Sequence, residues 1–309
     1  MTTLVITGAA GLVGQNLIAQ LKKRPDLRII AIDKHPSNTP LLARLHPEVE
    51  VITADLAERG TWTDALAGAD AVVINQAQIG GLDHEAFVRN NVAATAHLLA
   101  AAEQHKVPYV VHVSSSVVNS KAVDFYTETK GAGEKLADAC PIPHAVLRPT
   151  LMFGWFDRKH LGWLARFMQR VPAFPIPGDG RYLRQPLYAG DFAAIIAACL
   201  DKKITGTFDI SGQERILYVD VIRILKRQTK ARAAIVHLPY RLFWLLLKIY
   251  GIIDKNPPFT TSQLEALVIP ETFPVIDWPE IFSVRATPFE EAIAETFNHP
   301  LYSGVVLDF

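Results

Sequence analysis

The first fourteen residues restrict the fold more than any other stretch. A strand-like run, Thr3-Leu4-Val5-Ile6-Thr7, passes into Gly8-Ala9-Ala10-Gly11-Leu12-Val13-Gly14 and on into a helix-period stretch, Leu12 to Lys23. A strand that turns on glycines into a helix leaves bare backbone amides and the helix's positive end facing the turn, so a dinucleotide pyrophosphate fits there. The glycines have separate tasks: a tight turn at Gly8, close backbone approach near Gly11, and close helix-to-strand packing at Gly14. Ala10, Leu12 and Val13 complete this candidate phosphate cradle. Asp33 stands 19 residues after Gly14 at the end of a second strand run. A carboxylate there accepts both ribose hydroxyls and repels a 2′-phosphate, which predicts NAD as the cofactor, although Lys34 and His35 pull toward NADP.

Beyond this turn, apolar runs rich in Val and Ile recur at Arg28 to Ile32, Val49 to Ala54, Ala71 to Asn75, Tyr109 to Val113 and Ala145 to Arg148. Unbroken runs of this kind suit strands buried on both faces. Helix-period stretches lie between them at Thr61 to Leu66, Glu85 to Gln104 and Tyr126 to Asp138. The alternation predicts an α/β fold, a doubly wound parallel sheet of Rossmann type. Residues 1–150 read as the dinucleotide-binding domain. After Pro149 the pattern loosens, and residues 151–309 read mostly as a smaller substrate lobe, with 186–205 returning to the first core. At 309 residues, half of them hydrophobic, the chain can bury a full core; its 31 basic and 31 acidic residues give no global field toward nucleic acid or an anionic membrane, so any anion must be held locally. Cys140 and Cys199 lack ligand-like spacing and read as reduced core thiols, and no secretion leader precedes the first strand, so the expected compartment is the cytoplasm.

The glycine spacing is G-x-x-G-x-x-G, and with it the first half of the chain resembles the extended short-chain dehydrogenase/reductase family, in particular its nucleotide-sugar 4-epimerases. The resemblance runs on through Asp55-Leu56, Asn91, Ser114-Ser115-Ser116, Tyr126-x-x-x-Lys130 and Arg148-Pro149. It implies that Asp55 and Leu56 contact the adenine, that Gln76, Ala77 and Asn91 line the cofactor site, and that Ser116 is the catalytic serine with Ser115 beside the substrate. Tyr126 and Lys130, four apart, share one face of a helix start. An ammonium beside the phenol is expected to pull its pKa down, so that it exchanges a proton with a substrate hydroxyl near neutral pH. Lys130 is also expected to hold the nicotinamide ribose. Only nine residues separate Ser116 from Tyr126, fewer than in the family's sugar epimerases, which predicts a bare active-site rim. Val117-Val118 stand where the family's dehydratases carry an Asp-Glu pair, which disfavours elimination chemistry. The resemblance also implies a homodimer through the helices Glu85 to Gln104 and Tyr126 to Asp138.

In the second half, Arg184 matches a family arginine that grips a substrate diphosphate, and Asp191 reads as a helix N-cap. The apolar stretch Leu238 to Ile253, too short and too charged to span a bilayer, has three readings: a buried core or dimer helix, an apolar wall for a lipid-bearing substrate, or a helix lying on a membrane surface. Trp244, Leu247 and nearby Phe259 are its candidate contacts. The histidines, His46 and His112 among them, show no paired ligand spacing and are assigned loop or helix-surface roles; no metal site is predicted. The leading function is an NAD-dependent epimerase of a nucleotide-linked or lipid-linked sugar. A one-way oxidoreductase of a sugar or apolar hydroxylated substrate and a non-catalytic dinucleotide-binding subunit are the alternatives.

Overall fold

Six Val- and Ile-rich runs form β1 (Thr2–Thr7), β2 (Leu27–Asp33), β3 (Glu50–Thr53), β4 (Ala71–Ile74), β5 (Val110–Val113) and β6 (His144–Pro149) in a computed structural model that describes residues 1–120, 124–253, 260–270 and 272–308. Two-residue β7 (Met152–Phe153) opens the lobe. It is followed there by β8 (Ala173–Pro177), β9 (Leu183–Arg184) and β10 (Leu187–Tyr188). β11 (Gly206–Ile210) then returns to the first sheet and adds a seventh strand that the sequence pattern did not reveal. The order is β11-β6-β5-β4-β1-β2-β3, and each pairing is parallel. The chain reverses direction across the sheet between β1 and β4, so the crevice for ligands opens at their carboxyl ends.

Although the strand runs are apolar throughout, successive side chains enter different cores. Leu4, Ile6, Val73, Val111 and Leu147 share one cluster. Val5, Ile30, Val72 and Val110 share the other. Helices cover both faces: α1 (Leu12–Leu21), α2 (Asn38–Leu45), α3 (His84–Phe87), α4 (Ala94–Gln104), α5 (Phe125–Ala139), α6 (His160–Arg170) and α7 (Ala189–Lys202). α1 stops two residues short of its expected end, and Thr61–Leu66 is a tight 3₁₀ turn. The long helix expected over Glu85 to Gln104 is interrupted, because Val88–Ala93 between α3 and α4 winds as a π-helix. α7 packs along α1 and brings Phe192, Ile195 and Ile196 into the first cluster.

The lobe has its own core, in which Phe153, Met168, Phe174, Tyr218, Ile222 and Phe289 meet. Its short ladders join β7 to β10, β9 to β12 (Ile216–Leu217), and β8 to β13 (Ala234–Leu238). α8 (Tyr218–Thr229), α9 (Tyr240–Ile253), α10 (Thr261–Val268), α11 (Trp278–Phe282) and α12 (Phe289–Asn298) complete the chain.

Candidate active site

The turn after β1 takes the form its glycines allow. Gly8 has φ +58°, and a Cβ on it would lie 2.6 Å from the backbone nitrogen of Gln76. A Cβ on Gly14 would lie 2.5 Å from the Ala9 carbonyl oxygen, so only glycine lets α1 settle against the turn. Gly11 caps α1 with no side-chain hydrogen bond, and Leu12 and Val13 begin the helix there. An N-terminus left without a side-chain cap is ready for an anion. Asp33, at the end of β2, holds the turn from outside: one carboxylate oxygen accepts from the Ala10 amide at 2.9 Å, the other from the amides of Lys34 and His35 at 2.7 and 2.9 Å. The donor set fits a dinucleotide, with the pyrophosphate over the Gly8 turn and the adenosine ribose beside Asp33.

The remaining predicted cofactor residues follow β3 and β4 or lie on the π-helical turn, several of them already engaged. Asp55 pairs with Lys34 Nζ at 3.0 Å and with the Arg89 guanidinium at 2.7 Å. Partial burial opposes its ionisation, but the Ala57 amide and these two cations hold its carboxyl below the usual value. Leu56 is buried in the second cluster. Gln76 Oε1 accepts from the Thr7 hydroxyl at 2.5 Å and its Nε2 donates to Thr95 Oγ1 at 3.2 Å, so its side chain ties β1 to α4; Ala77 follows it in the loop after β4. Asn91, in the π-helical turn, bridges two elements. Its Oδ1 accepts from the Gln78 amide at 2.6 Å and its Nδ2 donates to Thr129 Oγ1 of α5 at 3.0 Å. Gln78 and Thr129 had no sequence signal, since neither role shows until the helices meet.

Ser114 to Ser116 leave the end of β5, and Asp124 caps α5 by accepting from the Thr127 amide at 2.7 Å. This sets Tyr126 and Lys130 on the face of α5 turned to β5. The Ser115 side chain stands beside the Tyr126 phenol and, against the larger effect of burial, pulls its pKa downward, while its hydroxyl accepts from the Val117 amide at 3.4 Å. Ser115 is buried and caps the short turn Ser116–Asn119, whereas Ser116 begins that turn and is half-buried. The resemblance pointed to Ser116; the structure sets the Ser115 side chain beside the phenol, with its backbone extended at the end of β5. Residues 121–123 of the short link to α5 lie outside the described residues.

Lys130 is buried, and its Nζ donates to the Val113 carbonyl at 2.7 Å. Burial pulls its ammonium down to about 8, against the opposing pull of Glu134. The expected depression of the phenol is not found. Burial holds Tyr126 above its ordinary value, Ser115 pulls the other way, and Asp124 adds to the rise. Desolvation of the phenolate outweighs help from a cation directed at a backbone carbonyl. Behind the pair, Arg148 of β6 grips Glu134 of α5 with two bonds of 2.9 and 2.6 Å, fixing the helix to the sheet.

Arg184, the predicted diphosphate ligand, gives its guanidinium to carbonyl oxygens: Leu183 at 3.1 Å, Ile269 at 2.8 Å and Leu267. Asp191 is not an N-cap. Tyr188 holds that position on α7, while both Asp191 oxygens accept from Thr287, from its hydroxyl at 2.6 Å and its amide at 3.0 Å. Asp191 thus ties α7 to the segment before α12. It also lines a cavity of about 250 Å³ with Phe153, Tyr188, Trp278 and Phe289, which shares no residue with the Tyr126 crevice. His46 and His112, assigned to loop or helix surfaces, are buried instead: His46 beneath Tyr302, and His112 on β5 under Gly133 of α5. Cys140 and Cys199 are free thiols, and among the described residues no group of three or more His, Cys, Asp or Glu is placed to hold a metal. Phe259 lies outside the described residues.

The sequence matches the profile of the NAD dependent epimerase/dehydratase family over residues 4–210. Among curated proteins, the chain is 27% identical over 267 residues to a Bacillus subtilis protein described as the uncharacterized UDP-glucose epimerase YtcB, covering 76% of this chain and 84% of that one. Among solved structures, a UDP-N-acetylglucosamine 4-epimerase from Methanobrevibacter ruminantium superposes with TM-score 0.74 at 17% identity, over 96% of both chains. The NAD complex of a UDP-glucuronic acid 4-epimerase from Bacillus cereus superposes with TM-score 0.67 at 23% identity, over 86% of this chain and 99% of that one.

Proposed function

This chain belongs to the NAD dependent epimerase/dehydratase family, an enzyme of the extended short-chain dehydrogenase/reductase type, and from that premise we propose that it epimerises a sugar carried by a nucleotide or a lipid. NAD, when bound, supplies reversible hydride acceptance at the substrate carbon. The observation that supports the reading is that Tyr126 and Lys130, four apart on α5, both reach the carboxyl end of β5, Tyr126 beside Ser115 and Lys130 on the Val113 carbonyl.

Tyr126 takes the hydroxyl proton as the sugar is oxidised and returns it as the keto sugar, turned in the crevice, is reduced on its other face. Ser115, or Ser116 after a small turn of the backbone, polarises the same oxygen. Lys130 contributes positive charge and orients the nicotinamide ribose. The cradle of Gly8, Ala10, Gly11, Leu12 and Val13 holds the pyrophosphate, Asp33 the ribose, and Asp55, Leu56, Gln76, Ala77 and Asn91 the rest of the cofactor. Arg184 exchanges its carbonyl partners for the substrate diphosphate, a stronger acceptor. Val117 and Val118 offer no acid-base pair for elimination, which favours an epimerase over a dehydratase. Homodimerisation through α3 to α5, a cytoplasmic setting and surface contact of 238–253 with a membrane complete the proposal.

A nucleotide-sugar panel tests it. An epimerase converts one sugar to its isomer with no net gain in reduced-nicotinamide absorbance; stoichiometric reduction marks a one-way oxidoreductase, and silence with NAD bound marks a non-catalytic subunit. Tyr126→Phe is expected to lose turnover by about a hundredfold or more while keeping NAD affinity. Ser115→Ala is expected to lose more than Ser116→Ala. Normal turnover by the Tyr126 variant sinks the mechanism.

A further inference from the structure

α9 carries no acidic residue, and its only charges are Arg241 and Lys248. One side of it is occupied: Phe243 is buried, Trp244 Nε1 donates to Glu265 Oε1 of α10 at 3.0 Å, and α9 packs on α10. The opposite side is a row of aliphatic side chains three and four apart, Leu242, Leu245, Leu246, Ile249 and Ile252, which are 44% to 79% exposed. Single exposed aliphatics are ordinary on a protein surface, but a continuous row on one helix is a patch made to be covered. The sequence pattern pointed to Trp244 and Leu247; the structure turns Trp244 to α10, leaves Leu247 only half-buried, and moves the open face to the residues named here.

We propose that this row lays the protein on a lipid bilayer with anionic headgroups. Arg241 and Lys248, seven residues apart, share one margin of the row; Lys248 Nζ lies over the Trp244 ring, 4.9 Å from its centroid, and from that margin long cationic side chains reach headgroup phosphates while their stems cover apolar surface. No helix among the described residues is long and apolar enough to cross a membrane, so α9 lies in the interface. Charge selects this occupant over a second copy of the chain: an anionic bilayer complements a helix whose charges are all positive, whereas two such helices docked row to row bring like charges to one seam. Docking here stands apart from the catalytic reading, yet it is one helix away from it, since the carbonyls of Leu267 and Ile269 at the end of α10 hold Arg184.

Co-sedimentation of the whole chain with phosphatidylcholine vesicles, with and without phosphatidylglycerol, tests the proposal. The protein is expected to pellet with the anionic vesicles and to be released by high salt. Leu245→Asp with Ile249→Asp should cut the bound fraction at least about tenfold. Removing Arg241 and Lys248 as glutamines should weaken binding about fivefold per charge, the factor set by about 1 kcal/mol for each cation near an anionic surface. NAD affinity, measured on the same variants, shows that they remain folded. The proposal is overturned if the protein stays in the supernatant with both vesicles, if the aspartate variant pellets undiminished, or if that variant dissociates a dimer that never bound vesicles.

Discussion

Lys130 shows how a single buried cation is set against its surroundings. Its folded-state value of about 8 lies below the ordinary lysine value of 10.5, with burial as the first cause. Between those two values the unfolded chain binds more protons at this residue than the folded one, so folding stability rises with pH across that window. Below it both states are protonated, and the full cost of burying the charge is carried. Lys130→Met is therefore expected to be the more stable protein near neutral pH, by up to about 3 kcal/mol, with the difference closing by about pH 10. Urea unfolding of the two apo proteins at a series of pH values checks this, and a constant difference would show that Lys130 does not titrate there. At this scale the sequence was only partly legible. Spacing on one helix put Tyr126 and Lys130 on a common face, and they are there. It carried no information on desolvation, which raises the phenol, or on the Val113 carbonyl, which takes the ammonium. Choosing between Ser115 and Ser116 likewise needed the backbone angles at the end of β5.

Elements were legible where the cause is local. The glycine turn and the strand runs depend on residues within a few positions of each other, and they formed as written, with small shifts of boundary. The glycines allow a test that separates packing from binding. Gly14→Ala places a methyl group 2.5 Å from a backbone oxygen, so α1 must move, at a cost of about 1–3 kcal/mol in denaturant unfolding together with weaker NAD binding. Gly11 has an ordinary φ of −80° and open space, with only the Gly8 oxygen near at 3.4 Å. Gly11→Ala is expected to leave stability within about 0.5 kcal/mol of the parent and to lower NAD affinity alone, since the new methyl group stands where the pyrophosphate approaches. Equal loss of stability in the two variants would refute this division of tasks. What the sequence could not reveal are contacts between distant elements. Asp191 looked like a cap because helix starts favour Asp, yet its partner is Thr287, 96 residues on. Arg184 looked available to a ligand because its carbonyl partners, Leu267 in α10 and Ile269 just past it, belong to a segment the periodicity did not place.

For the whole molecule, the arrangement of helices on the sheet bears on assembly. α4 and α5 pack side by side over one face, and among their outward positions Ala96, Ala100, Gly131 and Ala132 are small and half-buried or exposed. Small side chains let a second pair of helices approach closely enough to pack ridges into grooves and close a four-helix bundle about a two-fold axis. The Tyr126 and Lys130 side of α5 faces β5, so such a bundle leaves the catalytic crevice open. The protein is expected to sediment at twice the 34.1 kDa mass of the chain. Ala100→Arg with Ala132→Arg puts two long cations, each doubled by symmetry, into the centre of that contact, and should yield a monomer. Because neither residue lines the glycine turn, NAD affinity should change less than about threefold on dissociation. A parent protein that sediments as a monomer, or an arginine variant that stays dimeric, would remove α4 and α5 from the assembly and leave the exposed row of α9 as an uncovered apolar face.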